Sequence, residues 1–477
     1  MSAISATPSG KPAKTAQPQQ PLVSSKEIWS LTLPQAVTML LQFTIGFTDV
    51  VVAGRIHPHL QGALGIITQL QFFFLVLGIA LVNGGIAAMS QSLGARLPLR
   101  AQRYAGLLFI VGGFFCALTM IAGYAFADEM MFLMQVPAEI YDITLDLWLC
   151  YLPILPASYL AFISVGIFRA HKNVWTPLLS ALIVCVLNAF ADLGFGLGMF
   201  GLPNMGGRGL ILASIVSVAS GALFNLSVLV RKAMITRKSF APWRWEKQAF
   251  PYILRVATPA GGSQLLWQLG YLVLFLITST LPKDSVIAVS GLTAGMRIEA
   301  IIFMPAMAFS FTASILVGHC LGSGKPDEAK RIARKIILTG ALGMAVLALC
   351  LYPFVPWITA FVAPEDVAVQ DTAALYMLFN LVAAPFTVTS LIMSGVFTGA
   401  GATLFSLLAF STGTWGVRLP LAWYMGHVLW QDASGVFIAM LASQVVQAFL
   451  CLYLFSCKNW QRYASTARRL DRKTAAA

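Results

Sequence analysis

Runs of about twenty predominantly apolar residues recur along almost the whole chain, and no other feature narrows its possible folds so far. Hydrocarbon offers no partner to a backbone N–H or C=O, so a run of that length has to close its own hydrogen bonds as a helix. Breaking the sequence at its polar, Pro- and Gly-rich interruptions predicts twelve spans, at about 31–53, 62–93, 104–127, 146–168, 177–198, 209–230, 251–280, 285–318, 333–355, 372–397, 405–425 and 433–456. Several exceed the roughly 20 residues that a crossing needs, which implies tilt, kinks or extension beyond the hydrocarbon. Composition agrees, since 58% of residues are hydrophobic and only 10% charged, against about 25% charged in soluble domains. Residues 1–27 differ, being Pro-, Ser-, Gln- and Lys-rich, and read as a disordered tail rather than a signal peptide.

The formal charge of +13 does not point to nucleic acid, because the basic side chains sit in short loops and form no patch with interleaved aromatics. They occupy every second loop and both ends: Lys11, Lys14 and Lys26; Arg96, Arg100 and Arg103; Arg169 and Lys172; Arg231 to Lys247; Lys325 to Lys335; and Lys458 onward. The opposite loops carry Asp128, Glu129, Glu139, Asp142, Glu365, Asp366 and Asp371. Cytoplasmic loops hold the Lys and Arg excess, so the pattern predicts a multi-pass protein of the inner membrane with both termini in the cytoplasm; a monomer is the expected state, which no sequence feature fixes. The seven cysteines make no CxxC pair, so neither a disulfide framework nor a zinc site is indicated. His57 and His59, separated by Pro58 and lacking a third ligand, do not make a metal pair.

The chain is duplicated. SLGARLPLRAQRYA from Ser92 aligns without gaps on CLGSGKPDEAKRIA from Cys320, matching Gly94 to Gly322, Pro98 to Pro326, Ala101 to Ala329 and Arg103 to Arg331. Pro156, Gly166 and Phe168 fall on Pro385, Gly395 and Phe397, and Pro34 falls on Pro259. Six spans per copy is an even number, so both copies insert in the same direction. The expected fold is an all-α integral membrane protein with twelve transmembrane helices, arranged as two parallel six-helix lobes related by a pseudo-two-fold along the membrane normal. The lobes would cover residues 28–230 and 251–457, with a cytoplasmic linker at 231–250 and a basic tail at 458–477. The Trp243-Arg244-Trp245 pattern fits either an amphipathic segment or a plain tether. Pro34, Pro259 and Pro305 are candidate hinges, although membrane helices also absorb proline without motion.

Pro34 followed by Thr48, Asp49 and Gly54, the Leu-Gly-(Ala/Ser) loop after spans two and eight, Gly166-Ile167-Phe168-Arg169, and Asn188 with Asp192 together resemble the multidrug and toxic compound extrusion (MATE) family. The likeness covers roughly residues 28 to 457 and implies a secondary antiporter exporting organic compounds against inward H+ or Na+. The chain departs from the family in span seven, where many members carry a Glu and this sequence offers Gln264 and Gln268 around Trp267.

An ionised Asp at the centre of a spanning helix costs roughly 2.5–3.5 kcal/mol, so Asp49 needs partners. At 1.5 Å per residue Asp49 lies about 27 Å along an outward-running helix, and Asn188 and Asp192 lie about 17 and 23 Å along another, on one face. Ser214 lies about 8 Å below the outer edge on a third. Two carboxylates held close repel, which invites a proton or a small cation. The resemblance assigns the first-lobe cation site to the same positions: Asp49, Asn188, Asp192 and Ser214. The alternative is that the acids reach outer water near helix ends and Ser214 merely packs.

The second lobe is no copy of this site, because Asp49 falls on Leu274 and Asp192 on Leu421. Its own charges are Arg297, Glu299 and Arg418, read either as lining a substrate cavity or as a structural set in which Glu299 pairs with Arg418. Gln264, Trp267 and Gln268 complete the expected cavity, a Trp face being attractive to organic cations. The function expected is cation-coupled export of cationic or amphiphilic small molecules, with H+ or Na+ as coupling ion and no cofactor. A flippase for lipid-linked saccharide is the alternative. An integral-membrane enzyme is not expected, since no HExxH, clustered His or nucleophile motif appears at membrane depth.

Overall fold

The computed structural model of the 477-residue chain describes residues 24–364 and 366–464. Glu365, most of the expected N-terminal tail and residues 465–477 of the expected basic tail lie outside the described residues. The described chain is helical with no strand. In order, its α-helices are α1 (Ser25–Ile56), α2 (Pro58–Gly94), α3 (Pro98–Ala125), α4 (Ala127–Leu133), α5 (Tyr141–Tyr151), α6 (Ile154–Ala170), α7 (Trp175–Ala191) and α8 (Gly206–Arg231). There follow α9 (Trp243–Ser279), α10 (Ser285–Gly322), α11 (Pro326–Leu351), α12 (Val355–Val362), α13 (Val367–Ala400), α14 (Thr403–Ser411), α15 (Leu419–Trp423) and α16 (Ala433–Cys457).

Among the described residues ten stretches are long and apolar enough to cross a membrane, and the bent pair Ala138–Tyr151 with Ile154–Ala170 makes an eleventh. The span expected at 146–168 is therefore not one rod. It bends by 51° where Pro153 supplies no N–H to continue the helix. The span expected at 405–425 also differs, for α14 and α15 alternate with wide π-type turns at Thr412–Arg418 and Tyr424–Leu429, and it stands outside that count. The stretch around Trp243 resolves as the first turn of α9. Trp243 is exposed there, whereas Trp245 turns inward, edge-on to Tyr104 at 5.1 Å.

The duplication is visible in the packing. The last turns of α2 and α10 cross so closely that a Cβ on Gly94 would lie 2.1 Å from the His319 carbonyl oxygen, and one on Gly322 would lie 2.1 Å from that of Gln91. In the register that aligns Gly94 with Gly322, Gln91 aligns with His319, so each repeat offers the other the same contact. The hydrogen bonds exchange in the same way. Gln91 Nε2 donates to the Gly399 carbonyl at 2.8 Å, and His319 Nε2 donates to the Ala170 carbonyl at 2.8 Å. Ala170 and Gly399 are themselves mates, two places beyond Phe168 and Phe397. Since it is the C-terminal ends that meet, α2 and α10 run in the same direction, and the two-fold runs along the helices rather than across them.

The same end carries further contacts between the repeats. Thr32 on α1 lies 2.9 Å from Thr312 Oγ1 on α10, and Gln35 Nε2 donates to that oxygen at 3.1 Å. Tyr252 on α9 donates to Gln91 Oε1 at 3.2 Å. Pro34 and Pro259 lie inside unbroken helices, and their carbonyls accept from Thr38 and Ser263 at 2.7 and 2.8 Å, a further matched pair.

A side chain at Gly94 has no room while this end is closed. Gly94→Val is expected to lower stability by about 1–3 kcal/mol and to hold the ends of α2 and α10 apart. In a variant keeping Cys320 as its sole cysteine, a residue 2% exposed beside the crossing, maleimide labelling should accelerate roughly tenfold or more. An unchanged rate would show that the crossing accommodates the branched side chain.

Candidate functional site

Asp49 stands on α1, Asn188 on the last full turn of α7, and Asp192 where α7 widens into the π-type turn Asp192–Gly196. Wide turns of this kind recur at functional sites because they re-aim a side chain that a regular helix would carry past its target. Here α8 closes over the turn, since Gly209 lacks a Cβ that would otherwise lie 2.2 Å from the Phe195 carbonyl oxygen. Asn188 and Asp192 are both 0% exposed, and Asp49 is half-buried.

Oriented as a donor, the Asn188 carboxamide nitrogen lies 3.2 Å from Asp49 Oδ1 and 3.3 Å from Asp192 Oδ2. One neutral amide thus bridges two acids, which also contact each other directly. Two ionised carboxylates would repel out of such a contact, whereas a shared proton holds it together. Asp192 Oδ1 is buried with no hydrogen-bond partner among the described residues. Tyr151, at the end of α5, lies within electrostatic range of Asp49.

The depth count places Ser214 at this level, but no hydrogen bond joins its hydroxyl to either acid among the described residues. It is half-buried on α8, and its carbonyl accepts from Ser217 Oγ at 3.1 Å. His57, meanwhile, caps α2, its Nδ1 accepting from the His59 N–H at 3.2 Å.

In the second repeat the expected Glu299–Arg418 pair does not form. Glu299 accepts a hydrogen bond from the Tyr376 hydroxyl, to which Asn380 Nδ2 donates in turn at 3.4 Å. Arg418 is 1% exposed, donates from Nε to Ser443 Oγ at 2.9 Å, and lies 5.4 Å from the centre of the Tyr271 ring. Tyr271 is in electrostatic range of both charges. Arg297 is exposed, separate from both. Leu274, the mate of Asp49, is wholly buried in apolar surroundings.

Between the repeats lies a cavity of about 140 Å³. Gln264 and Trp267 line it as expected, with Trp267 stacked on Phe303 at 6.4 Å between ring centres. Gln268 faces away and donates to Gln69 Oε1 across the interface at 3.2 Å. Neither Arg297, Glu299 nor Arg418 lines it. The charge that does is Arg169, assigned from sequence to a loop. Its place in the Gly-Ile-Phe-Arg motif, mated to Thr398, was the available signal. Tyr376 and Asn380 were likewise missed, though a polar pair at i and i+4 within an apolar run is readable as one helix face.

An all-helical bundle duplicated along its membrane-spanning helices, with a cavity between the copies and a buried acid pair inside one of them, is the architecture of a membrane transporter. This chain belongs to the MatE family, whose model matches it twice, at residues 34–193 and 259–424. It is 24% identical over 454 residues to a probable multidrug resistance protein NorM of Thermotoga maritima, covering 93% of this chain and 94% of that one. It is also 24% identical over 472 residues to the multidrug resistance protein PmpM of Pseudomonas aeruginosa, covering 95% of each. Among solved structures, an outward-facing multidrug resistance MATE family transporter superposes with a TM-score of 0.84 at 19% identity, covering 93% of this chain and 96% of that one. The Vibrio cholerae MATE transporter VcmN in its bent form gives 0.83 at 18% identity, covering 93% and 98%. The chain is thus a multi-pass membrane transporter of small molecules.

Asn188→Leu keeps the side-chain volume and removes the bridge between the acids. It is expected to cost about 1–3 kcal/mol at pH 8, read as a lower unfolding temperature of the detergent-solubilised protein, and less at pH 5, where protonation relieves the repulsion. An equal loss at both pH values would mean that Asn188 only packs.

Proposed function

We propose that the chain is an inner-membrane antiporter that exports organic amphiphiles, with or without cationic groups, in exchange for inward-moving protons, by alternating access between its two repeats. The observation that carries this reading is the Asp49–Asn188–Asp192 cluster. With its nitrogen turned toward them, the carboxamide can donate to both acids, an arrangement that suits a shared proton better than Na+, a hard ion seeking oxygens. The orphaned Asp192 Oδ1 marks where a second proton is accommodated. Because Asp192 sits on a widened turn against α8, its protonation state acts on the packing of α1, α7 and α8 together, which is the link required between ion and lobe. The relatives named as multidrug resistance proteins support export of foreign organic compounds. The loop charges support cytoplasmic termini. A flippase for lipid-linked saccharide gains no support, since a cavity of about 140 Å³ with one lining cation is small for such a substrate.

The test is efflux of a fluorescent amphiphile from proteoliposomes under separately imposed pH and Na+ gradients. The pH gradient alone should drive export, and Asp49→Asn and Asp192→Asn should each reduce the driven rate by roughly tenfold or more. Export driven by Na+ with no pH gradient, or native rates in both variants, would refute the assignment.

A further inference from the structure

The cavity between the repeats lies on the pseudo-two-fold, because mated positions line it from both sides: Ile86 and Ser314, Arg169 and Thr398. Its polarity is nevertheless one-sided. Arg169 brings the only charge to its wall, and no Asp or Glu lines it among the described residues. The guanidinium carbon lies 3.9 Å from the centre of the Phe311 ring, a contact that orients it and leaves its hydrogen-bond donors unused. Arg169 Nε is buried without a partner, and so are the hydroxyls of Ser314 and Ser406, side chains 4% and 2% exposed that also line the cavity. Three orphaned groups capable of donating therefore belong to residues that line one cavity, in a membrane protein where each unsatisfied group is costly.

Beside this polar wall stands an apolar one, formed by Trp267, Phe303 and Met307. A void of about 150 Å³ holds a benzene-sized group, so the cavity as it stands admits an anionic head or a single ring. A larger body would require the repeats to separate. We propose that this cavity is the seat of the substrate's anionic group, a carboxylate or sulfonate carried on an aromatic body, with Arg169 as the residue that selects for it. The proposal rests on the transport reading for its setting and narrows the exported compounds to organic anions and zwitterions. The mate of Arg169 is Thr398, so the selectivity belongs to one side of an otherwise duplicated site.

The test is equilibrium dialysis of the purified full chain in neutral detergent with two probes of the same single ring, benzenesulfonate and the uncharged benzenesulfonamide. The native protein should prefer the sulfonate. Arg169→Gln should weaken sulfonate binding roughly ten- to hundredfold, the range for a charge-assisted hydrogen bond, and leave sulfonamide binding within about twofold, while Arg169→Lys recovers part of the loss. Retained sulfonamide binding also shows that the variant is folded. Equal weakening of both probes would make Arg169 a structural latch on Phe311, and unchanged sulfonate binding would leave it no role in recognition; either overturns the proposal. Displacement of the sulfonate by phosphatidylglycerol, in nanodiscs otherwise of phosphatidylcholine, would assign the site to a lipid headgroup and overturn it too. No ion gradient enters these measurements, so an error in the coupling assignment does not change their outcome.

Discussion

The close crossing of α2 and α10 is the contact on which the arrangement of the molecule depends. Two helices can bring their backbones together only where neither carries a Cβ at the point of contact, and here Gly94 and Gly322 meet that condition for each other's repeat. The reciprocal hydrogen bonds of Gln91 and His319 to Gly399 and Ala170 then satisfy buried polar groups on both sides. Everything between the repeats follows from this closure: the cavity has a floor, Trp267 and Phe303 face it from one repeat, and Arg169 reaches it from the other. The same groups would have to part for the repeats to separate at this end.

Against that symmetric frame the ionisable groups are asymmetric, and the difference has a physical source. A buried carboxylate pair is held in the first repeat by a neutral amide and by a widened turn covered by α8, whereas the mated positions in the second are leucines in apolar packing. The second repeat instead spends its polar residues on two separate sets, Glu299 with Tyr376 and Asn380, and Arg418 with Ser443. Placing opposite charges on neighbouring helices does not make them a pair, for here each finds a neutral hydrogen-bond partner of its own.

Much of this was legible in the chain itself. Apolar run length located the helices because hydrocarbon leaves the backbone no alternative partner, and the SLGARLP and CLGSGKP loops revealed the duplication because equal contacts select equal residues. Depth counting brought Asp49, Asn188 and Asp192 to one level, and the structure places them in contact. The same count put Ser214 at that level, yet its hydroxyl makes no such bond, since depth fixes height along a helix but not the direction in which a side chain points. Arg169 was hidden for a related reason: at a helix end it counts as a loop charge, and only the approach of α10 turns its surroundings into an enclosed wall.

By itself, then, the sequence determined the helical class, the duplication, the family and the coexistence of two acids in one repeat, all of which rest on local pairing rules and on spacing along a helix. Tertiary structure decided the rest: the break at Pro153, the partners of Glu299 and Arg418, and the meeting of Arg169, Ser314 and Ser406 around one void. Those outcomes depend on the rotation of each helix about its axis and on the close approaches that its glycines permit, quantities set by packing between segments far apart in the chain.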